Sequence, residues 1–503
     1  MKKLFFPAII TALALAIYWN SLGNSYVWDD KLNFSENPNI RNFSLVFKSL
    51  FSPKYSEVTN ERYYRPVVTL SYALEYQAWG LRPAASHAVN VIFHALNGIL
   101  LFIFLTYLVP SRQIAAASSL LFISHPVQTN AAAFINGRME IFCAFFFLLS
   151  LILFLKSRES SSKAKLLLLL SLTTFILALM SKETALILPL SLLLMQLCFT
   201  GTGTKKTIAT VIPYVIVATA YLAFRLFFIG GSALQMERPL PAWSTFLMMI
   251  KVVALYIKLL VFPARLCADY FSIPVSASFI EKEILLSSGL IIAALAVAVY
   301  GALRNRLISF SISWFFISLL PVMNIVPLLT FASEKFLYMP SVGFCIFLST
   351  VMLRLSEWRN ASRAKFIFWL TVIFILGLYS YQTVNRNVIW KNELSLFRNT
   401  VQCSPHSASA HVKYGNELCR VGNCRESLRE YEKALALQTD AAIYCNMGEA
   451  YGRLGKYEKA AVAFQQCLEL DPENPAACER LLLALKLSGK LQDNIHLCGK
   501  DKK

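Results

Sequence analysis

Apolar residues along the first 385 positions occur in long runs, each separated from the next by a short polar segment. A helix of about 20 apolar residues spans the hydrocarbon core of a bilayer. The pattern therefore predicts an all-α, polytopic transmembrane helical bundle of about eleven spans. They fall near residues 4–20, 88–109, 114–132, 138–155, 165–180, 184–200, 207–229, 284–302, 307–328, 335–353 and 365–383.

One further apolar segment, 244–262, is ambiguous because it carries Lys251 and Lys258 on one helical face. Basic loops favour the cytoplasm. Four such loops (156–165, 205–206, 304–306 and 354–365) all lie there only if 244–262 does not cross the membrane. We therefore expect an interfacial or re-entrant helix whose lysines reach toward lipid headgroups.

This interpretation fixes the orientation of the chain. Lys2 and Lys3 precede the first apolar run, which we interpret as an uncleaved span with a cytoplasmic N-terminus rather than as a signal peptide. The first outer loop, 21–87, the outer segment 230–283 and the C-terminal tail then share the outer face. If 244–262 crosses, the tail is cytoplasmic instead.

The tail has a different, polar and alanine-rich pattern. Its residues 441–474 carry the characteristic offsets of a tetratricopeptide repeat, at Tyr444, Gly448, Tyr451, Ala460, Phe464 and Pro472. The preceding stretch repeats this pattern loosely, and 475–497 resembles a degenerate repeat or a cap. We predict a transmembrane domain at 1–384, a linker at 385–406 and a repeat α-solenoid at 407–503. Such solenoids bind peptides or proteins; a structural cap or a dimerisation module is the alternative.

Composition agrees with a membrane protein: 56% of the residues are hydrophobic, 15% are charged, and the mean hydropathy is +0.53. The net charge of +19 lies largely in short loops, where it meets anionic lipids, so we expect no nucleic-acid partner. Seven of the eleven cysteines lie in the tail. The chain has no CxxC motif, which argues against zinc. Outside the cytoplasm tail cysteines can pair, and their odd number leaves at least one without a tail partner.

Asp29 and Asp30 are the first candidates for chemistry, because they follow the first span directly. Carboxylates beside a bilayer are costly unless they face water, a partner or a substrate. They suit a general base and its supporter, or the ligands of a divalent metal ion. The alternative is a pair of acids that cap the end of the span.

More polar groups share the predicted outer face. Arginines and lysines there can hold a lipid-linked phosphate opposite a carboxylate base. Alternatively, the Arg–Glu and Lys–Glu neighbours form structural ion pairs, and the histidines serve in packing or in helix capping. The candidates are Arg65, Arg138, Glu140, Lys182, Glu183, Glu334 and Lys335 for substrate or lipid phosphate, with His87, Asn90, His94 and His125 in support.

Seven stretches occur in a fixed order: WDD (28–30), YYRPVVTLSYALEYQAWGLRPAASHAVNVIFHALN (63–97), HPVQTNAAAFINGRMEI (125–141), SKETALILPLSLLL (181–194), LVFPARLCADY (260–270), NIVPLLTFASEKFLYMPSVGF (324–344) and RNVIWKNELSLF (386–397). Together with the repeat tail they resemble the transmembrane and tetratricopeptide-repeat family of O-mannosyltransferase-like proteins. That family belongs to the GT-C class of membrane glycosyltransferases. The resemblance covers essentially the whole chain, and the short tail favours a bacterial relative.

The resemblance implies inverting transfer of mannose or a similar sugar from a polyprenyl phosphate to a hydroxyl of an acceptor protein. It implies that Asp29–Asp30 is the acidic motif of the first outer loop, with Asp29 as base, and that Arg138 is a functional arginine. Glu334–Lys335 stands where family members often have Glu-Arg, and lysine lacks the bidentate geometry of arginine. The resemblance names no definite cofactor; a divalent metal ion, with Asp29 or Asp30 as ligands, is left open.

The resemblance implies a multi-pass protein of a bacterial inner membrane, with periplasmic repeats that recruit the acceptor protein. An endoplasmic reticulum membrane with lumenal repeats is the alternative location. Two other functions stay open. A non-catalytic repeat scaffold needs no carboxylate at the outer face. A lipid-linked glycan ligase or flippase also fits a polytopic bundle, although a ligase is expected to have its large loop late in the chain.

Overall fold

The computed structural model describes residues 4–52, 64–159, 162–200, 203–229, 240–268, 270, 275–276, 278–328, 330–359 and 363–490. Over these ranges the chain forms helices and turns without a strand, which confirms the all-α prediction. Two compact units result: Met1–Leu266 with Pro274–Asn392, and Cys267–Ile273 with Glu393–Lys503.

The first unit is a helical bundle around an apolar core. Its α-helices are Phe5–Tyr18, Phe43–Ser49, Pro66–Trp79, Pro83–Leu108, Arg112–Ser124, Thr129–Ala132, Arg138–Glu159, Ala164–Leu179, Leu188–Phe199, Thr204–Phe224, Ala242–Val261, Lys282–Arg304, Arg306–Leu319, Pro340–Arg359 and Ala364–Asn387. The predicted linker 385–406 instead contains the end of the last of these helices and the helix Glu393–Cys403 of the second unit.

Among the described residues, seven helical segments are long and apolar enough to cross a membrane by length and composition. They are Phe5–Gly23, Pro83–Leu108, Ile135–Glu159, Lys205–Phe227, Ala242–Val261, Lys282–Arg304 and Ala364–Trp390. Three predicted spans correspond to the shorter apolar helices Ala164–Leu179, Glu183–Phe199 and Arg306–Val322. The structure therefore supports a polytopic bundle but does not fix the number of crossings at eleven.

The helix Ala242–Val261 covers the segment that we expected at the membrane surface. Its Lys251 differs from that expectation: the side chain is buried and its Nζ lies 3.1 Å from Ser276 Oγ and 2.9 Å from Glu283. A buried ammonium needs such partners, because burial without them is costly. Lys258, by contrast, is exposed. Only Lys258 is therefore placed to reach lipid headgroups.

A break between two helices shapes the outer face. The predicted span 114–132 ends as a helix at Ser124, because His125 precedes Pro126 and is extended (φ −62°, ψ 127°). Short turns at Pro126–Gln128 and Ile135–Gly137 then lead to the helix that begins at Arg138. This irregular stretch is packed against the residues that follow the first span.

The second unit contains the repeats. Its helices are Glu393–Cys403, Ala408–Arg420, Cys424–Leu437, Ala441–Arg453, Tyr457–Leu470 and Pro475–Leu487. Consecutive helices pack closely because Gly448 faces the ring of Phe464, and a Cβ at Gly448 would overlap that ring. The helix Tyr457–Leu470 ends just before Pro472, as the repeat pattern predicted. The third predicted repeat is a helix over Pro475–Leu487, and residues 491–497 lie outside the described ranges.

Disulfides account for most of the tail cysteines. The pairs are Cys419–Cys424, Cys445–Cys467 and Cys267–Cys403. The last pair explains the odd number, since Cys403 takes its partner from the outer segment 230–283. Disulfides of this kind persist in oxidising compartments, which agrees with a tail outside the cytoplasm.

Candidate active site

The chain segment that carries the two aspartates is strained. Trp28 has a φ of 52°, in the left-handed region that large side chains rarely adopt. Its ring stacks on Phe134 with centroids 6.4 Å apart, and Phe134 stacks in turn on the buried Trp390. Residues held in such backbone conformations cluster at functional sites, since the surrounding structure must maintain them.

Asp30 is buried, and both of its carboxyl oxygens accept backbone hydrogen bonds. Val27 N donates to Oδ2 (3.1 Å) and Asn136 N donates to Oδ1 (2.7 Å). Burial raises the pKa of Asp30 to about 8, although the two N–H donors oppose it; the charge of Asp29 adds to the increase and Arg138 reduces it. Asp30 therefore joins the end of the first span to the turn Ile135–Gly137 rather than facing a substrate.

Asp29 is partly exposed, and its Oδ2 accepts one long hydrogen bond, from Asn136 Nδ2 at 3.5 Å. Of the adjacent carboxylates, Asp29 is therefore the one with oxygen atoms open to a ligand. A divalent ion held by both aspartates would have to share the Asp30 oxygens with two N–H groups. Within the described ranges no three His, Cys, Asp or Glu side chains come together as metal ligands.

Lys335 lies in the turn Glu334–Leu337, and its ammonium has no ion pair within the described residues. Burial lowers the pKa of Lys335, as do the nearby charges of Lys182 and Arg65, while Asp29 and Glu140 raise it. The turn thus brings a cation without a direct counter-ion into the field of Asp29. Such a cation favours a bound anion.

Arg138 differs from its expected role as a phosphate ligand. It is fully buried, and each guanidinium nitrogen faces a protein oxygen. Nε lies 2.9 Å from Asn90 Oδ1, Nη2 lies 3.0 Å from the Ser86 carbonyl, and Nη1 lies 2.6 Å from Glu75. Arg138 therefore stabilises the interior beneath the acidic loop, and a phosphate would have to replace one of these protein partners.

Other expected phosphate ligands are also paired within the protein. Lys182 forms a buried ion pair with Glu140, and Glu334 pairs with Arg386 at 2.7 Å. Both are structural ion pairs, but each joins residues that are distant in sequence rather than the neighbours Lys182–Glu183 and Glu334–Lys335. Because each buried charge depends on its partner, neither pair can be opened cheaply for a ligand.

The cluster around Glu183 is less buried. Arg65 lies 3.5 Å and Arg225 lies 2.9 Å from its carboxylate, and all three side chains keep 14–21% of their surface exposed. Two guanidinium groups thus share the Glu183 carboxylate. It differs in this respect from the one-to-one pairs in the interior.

An apolar cavity of about 290 Å³ opens beside this cluster. Its lining includes the neighbours in sequence of Arg65 and Arg225, and two helices supply most of the rest. The lining residues are Phe51, Tyr64, Ile176, Met180, Val217, Ala220, Tyr221 and Phe224. Such a surface suits an acyl or prenyl chain.

The supporting polar residues hold the outer-face turns in place. His94 donates from Nε2 to the Ile123 carbonyl (3.1 Å), so its Nδ1 accepts from Tyr338 (2.7 Å). His125 likewise donates to the Leu260 carbonyl and accepts from Val127 N. His87 is fully buried. The bonded histidines therefore follow the packing and capping alternative and have no nitrogen free for a metal.

The sequence did not identify several residues that the structure places at this site. Glu75, Asn136, Arg225 and Arg386 are each bonded to a candidate residue. Asn136-Gly137 stands just before Arg138 in one of the ordered motifs, which was the available signal for Asn136. The partners of the other three lie far away in sequence, so no local spacing could indicate them.

Comparison with known proteins gives the following relatives. The tetratricopeptide repeat family matches residues 441–474. The chain is 28% identical to the Protein O-mannosyl-transferase F38B6.6 of Caenorhabditis elegans over 447 residues, covering 85% of this chain and 62% of that protein. It is 27% identical to the human Protein O-mannosyl-transferase TMTC1, covering 86% and 55%, and 23% identical to mouse Protein O-mannosyl-transferase TMTC3, covering 92% and 55%.

These matches confirm the resemblance that the ordered motifs indicated. The chain spans between half and two thirds of the length of these relatives. A solved structure, the oligosaccharyltransferase of Archaeoglobus fulgidus tethered with an acceptor peptide, aligns with a TM-score of 0.41 at 10% identity, covering 86% of this chain and 59% of that one.

Proposed function

We propose that this chain, a relative of protein O-mannosyl-transferases, is a membrane glycosyltransferase that moves a sugar from a polyprenyl phosphate to a protein hydroxyl. One observation carries the proposal. Of the two adjacent carboxylates, Asp30 is buried with both oxygens bonded, whereas Asp29 is partly exposed and lies in the field of Lys335. A base and a cation are the two groups that this transfer requires.

In the proposed reaction Asp29 takes the proton of the acceptor hydroxyl. The hydroxyl oxygen then attacks the anomeric carbon, and the bond from that carbon to the phosphate oxygen breaks. The leaving polyprenyl phosphate keeps the electron pair, and the configuration at the anomeric carbon inverts. Lys335 stabilises the charge that grows on the phosphate, which is the electrostatic contribution of the protein.

The donor has a second point of attachment in this proposal. Its prenyl chain occupies the apolar cavity lined by Tyr64, Met180 and Phe224, and the cluster of Arg65, Glu183 and Arg225 lies at the cavity rim. In this proposal the donor phosphate binds to the guanidinium groups of this partly exposed cluster, since arginine can offer two parallel donors to a phosphate. Arg138 has no place in this donor site, because its nitrogens are all bonded internally.

In this proposal the repeats bind the acceptor protein and bring it to the transmembrane domain. Helices of this repeat type form surfaces that bind peptides or proteins, and the disulfides of the second unit fit the periplasm or the endoplasmic reticulum lumen. The acceptor protein then reaches Asp29 from the outer side of the membrane. A bacterial inner membrane stays our preferred location. We assign no cofactor.

The test compares purified wild-type protein with Asp29→Asn in nanodiscs. The readout is transfer of labelled mannose from polyprenyl-phosphate mannose to co-expressed envelope proteins. Asparagine keeps the shape but cannot take a proton, so we expect transfer to fall about 10²- to 10⁴-fold. Glu36→Gln, at an exposed acid of the same outer loop, is the matched control and should keep wild-type transfer.

Each outcome of this comparison has a meaning. Equal transfer by wild type and Asp29→Asn removes Asp29 from the mechanism. Absence of transfer by wild type with mannose and other polyprenyl-linked sugars favours the non-catalytic scaffold, in which the repeats act alone. Loss of transfer in Glu36→Gln as well shows that the loop tolerates no change, and the variant comparison then says nothing about a base.

A further inference from the structure

Asn136 contacts both carboxylates of the acidic loop. Its backbone N–H donates to Asp30 Oδ1 at 2.7 Å, and its side-chain Nδ2 lies 3.5 Å from Asp29 Oδ2. The side chain is itself oriented, because Asn33 Nδ2 donates to its Oδ1 at 3.3 Å. Asn136 is only 4% exposed. This one amide is thus aimed at Asp29 by the protein around it.

Hydrogen bonds from Asn90 fix the turn that contains Asn136. Asn90 Nδ2 donates to the carbonyls of Phe134 (3.0 Å) and Ile135 (3.2 Å), and Arg138 in turn holds Asn90. Gly137 adds a steric constraint, since a Cβ there would overlap the backbone of Ala131. Bonds therefore run from the buried Arg138 through Asn90 to the turn, and through Asn136 to Asp29.

We propose that Asn136 is a positioning residue, which holds the Asp29 carboxylate in the orientation and charge state that proton removal needs. This inference rests on the proposed function of Asp29 as the base. An amide N–H donor favours the ionised carboxylate. It also restricts rotation of the carboxyl group, so that the oxygen that does not face Asn136 is the one presented to the acceptor hydroxyl.

The other charged groups around Asp29 define what Asn136 adds. Asp30 is next in the chain, and the charge of Asp29 helps to raise the pKa of Asp30, while Lys335 favours a negative charge on Asp29 from the turn Glu334–Leu337. The charge of the buried Arg138 lowers the pKa of Asp30. The Asn136 amide is the neutral donor among these groups, and removing it takes away the hydrogen bond at Asp29 Oδ2.

The first measurement is independent of transfer. The full chain in detergent is treated with a carbodiimide and an amine, which modify protonated carboxyl groups, and labelling of Asp29 is followed by mass spectrometry from pH 4 to 8. We expect labelling of Asp29 at a given pH to increase in Asn136→Leu, which lacks the donor, and to increase further in Asn136→Asp, which adds a charge. Asn136→Gln, which keeps a donor, should lie near wild type.

The matched control is Asn42→Leu. Asn42 caps the helix Phe43–Ser49 by accepting from Leu45 N and does not contact the aspartates. Its variant should label at Asp29 as wild type does. An unchanged Asp29 curve in both Asn136→Leu and Asn136→Asp overturns the proposal, as does an equal change in Asn42→Leu.

The second measurement uses transfer. We expect kcat to fall about 10- to 100-fold in Asn136→Leu while the KM for the polyprenyl donor changes less than about twofold. Full kcat despite a shifted labelling curve overturns the positioning role. A shifted curve with no transfer in wild type retains the bond between Asn136 and Asp29 and refutes the proposed glycosyltransferase instead, so the two failures are distinguishable.

Discussion

Charged residues near the outer face fall into two groups. Arg138, Lys182 and Glu334 are each buried and paired with an opposite charge inside the bundle. Asp29 and Lys335 have no ion pair within the described residues and act on each other only through their fields. A charge that is paired in a low-dielectric interior cannot leave its partner without a large cost. The first group therefore holds the loops in place. We assign the proposed proton transfer and phosphate stabilisation to the second group, with donor binding at the partly exposed cluster of Arg65, Glu183 and Arg225.

The pair of Arg138 and Glu75 offers a test of this division. Glu75→Gln leaves the Arg138 guanidinium buried without a counter-charge, which costs about 3–5 kcal/mol. We expect a lower thermal unfolding midpoint in detergent and a smaller folded yield. The double variant Glu75→Gln, Arg138→Met should recover part of the loss, because neither charge is then left alone. Scanning calorimetry or a tryptophan fluorescence melt measures the difference.

The exposed Glu36→Gln serves as the control and should alter stability by less than about 0.5 kcal/mol. A donor-binding role for Arg138 makes the opposite prediction. Arg138→Met would then raise the KM for the polyprenyl donor with an unchanged unfolding midpoint, and Glu75→Gln would be silent in stability. Either result would contradict the structural role assigned to the pair.

The sequence identifies a candidate residue when its neighbours in the chain mark it. Asp29 and Asp30 stand side by side after an apolar run, which marked them, but the difference between them depends on Asn136, more than one hundred residues away. Arg138 was marked as well, yet its role depends on Glu75. Which charge is paired and which is open is a property of long-range packing, and one sequence does not contain it.

At the scale of elements, apolar periodicity predicted most of the bundle helices and the paired helices of the repeats. It failed where local backbone chemistry interrupts an apolar run. The predicted span 114–132 stops at Ser124, because Pro126 follows His125. The predicted interfacial lysine Lys251 turned inward to Ser276 and Glu283, two partners on the following segment.

Helix pairing in the repeats depends on small residues at the crossing, and one helix contains both a test and its control. Gly448→Ala places a methyl group against the Phe464 ring, which should cost about 1–3 kcal/mol. Gly452→Ala in the same helix meets no atom within 4 Å, and should stabilise the helix by about 0.5–1 kcal/mol.

Hydrogen exchange on the oxidised full chain measures both changes. Amides of Ala441–Arg453 and Tyr457–Leu470 should exchange faster in Gly448→Ala and slower in Gly452→Ala, with the helices of the first unit unchanged. Equal exchange in the two variants would show that Gly448 is not required for helix approach. The Cys445–Cys467 disulfide joins these two helices and must stay intact in every sample.

At the scale of the whole chain, one disulfide constrains the membrane topology. Cys267 and Cys403 must share an oxidising compartment in order to pair. The described residues between them form four long helices, Lys282–Arg304, Arg306–Leu319, Pro340–Arg359 and Ala364–Asn387. If all four cross the membrane, the even number of crossings returns the chain to the same side. The basic residues at 205–206 place the start of Thr204–Phe224 in the cytoplasm. That helix then ends on the outer side, already the side of Cys267.

Ala242–Val261 lies between that outer end and Cys267, so we predict that it does not cross, although its length and composition would allow a span. Ala242→Cys and Arg265→Cys, each in a background lacking Cys143, Cys198 and Cys345, the free cysteines among the described residues, should both react with an impermeant maleimide in intact cells or sealed vesicles. The matched control, Asn305→Cys between two helices at a basic loop, should react only after permeabilisation. Labelling of Ala242→Cys with protection of Arg265→Cys would show that the helix crosses. In that case the tail lies in the cytoplasm, the Cys267–Cys403 bond cannot be maintained there, and the acceptor protein could not be recruited by the repeats on the side where Asp29 lies.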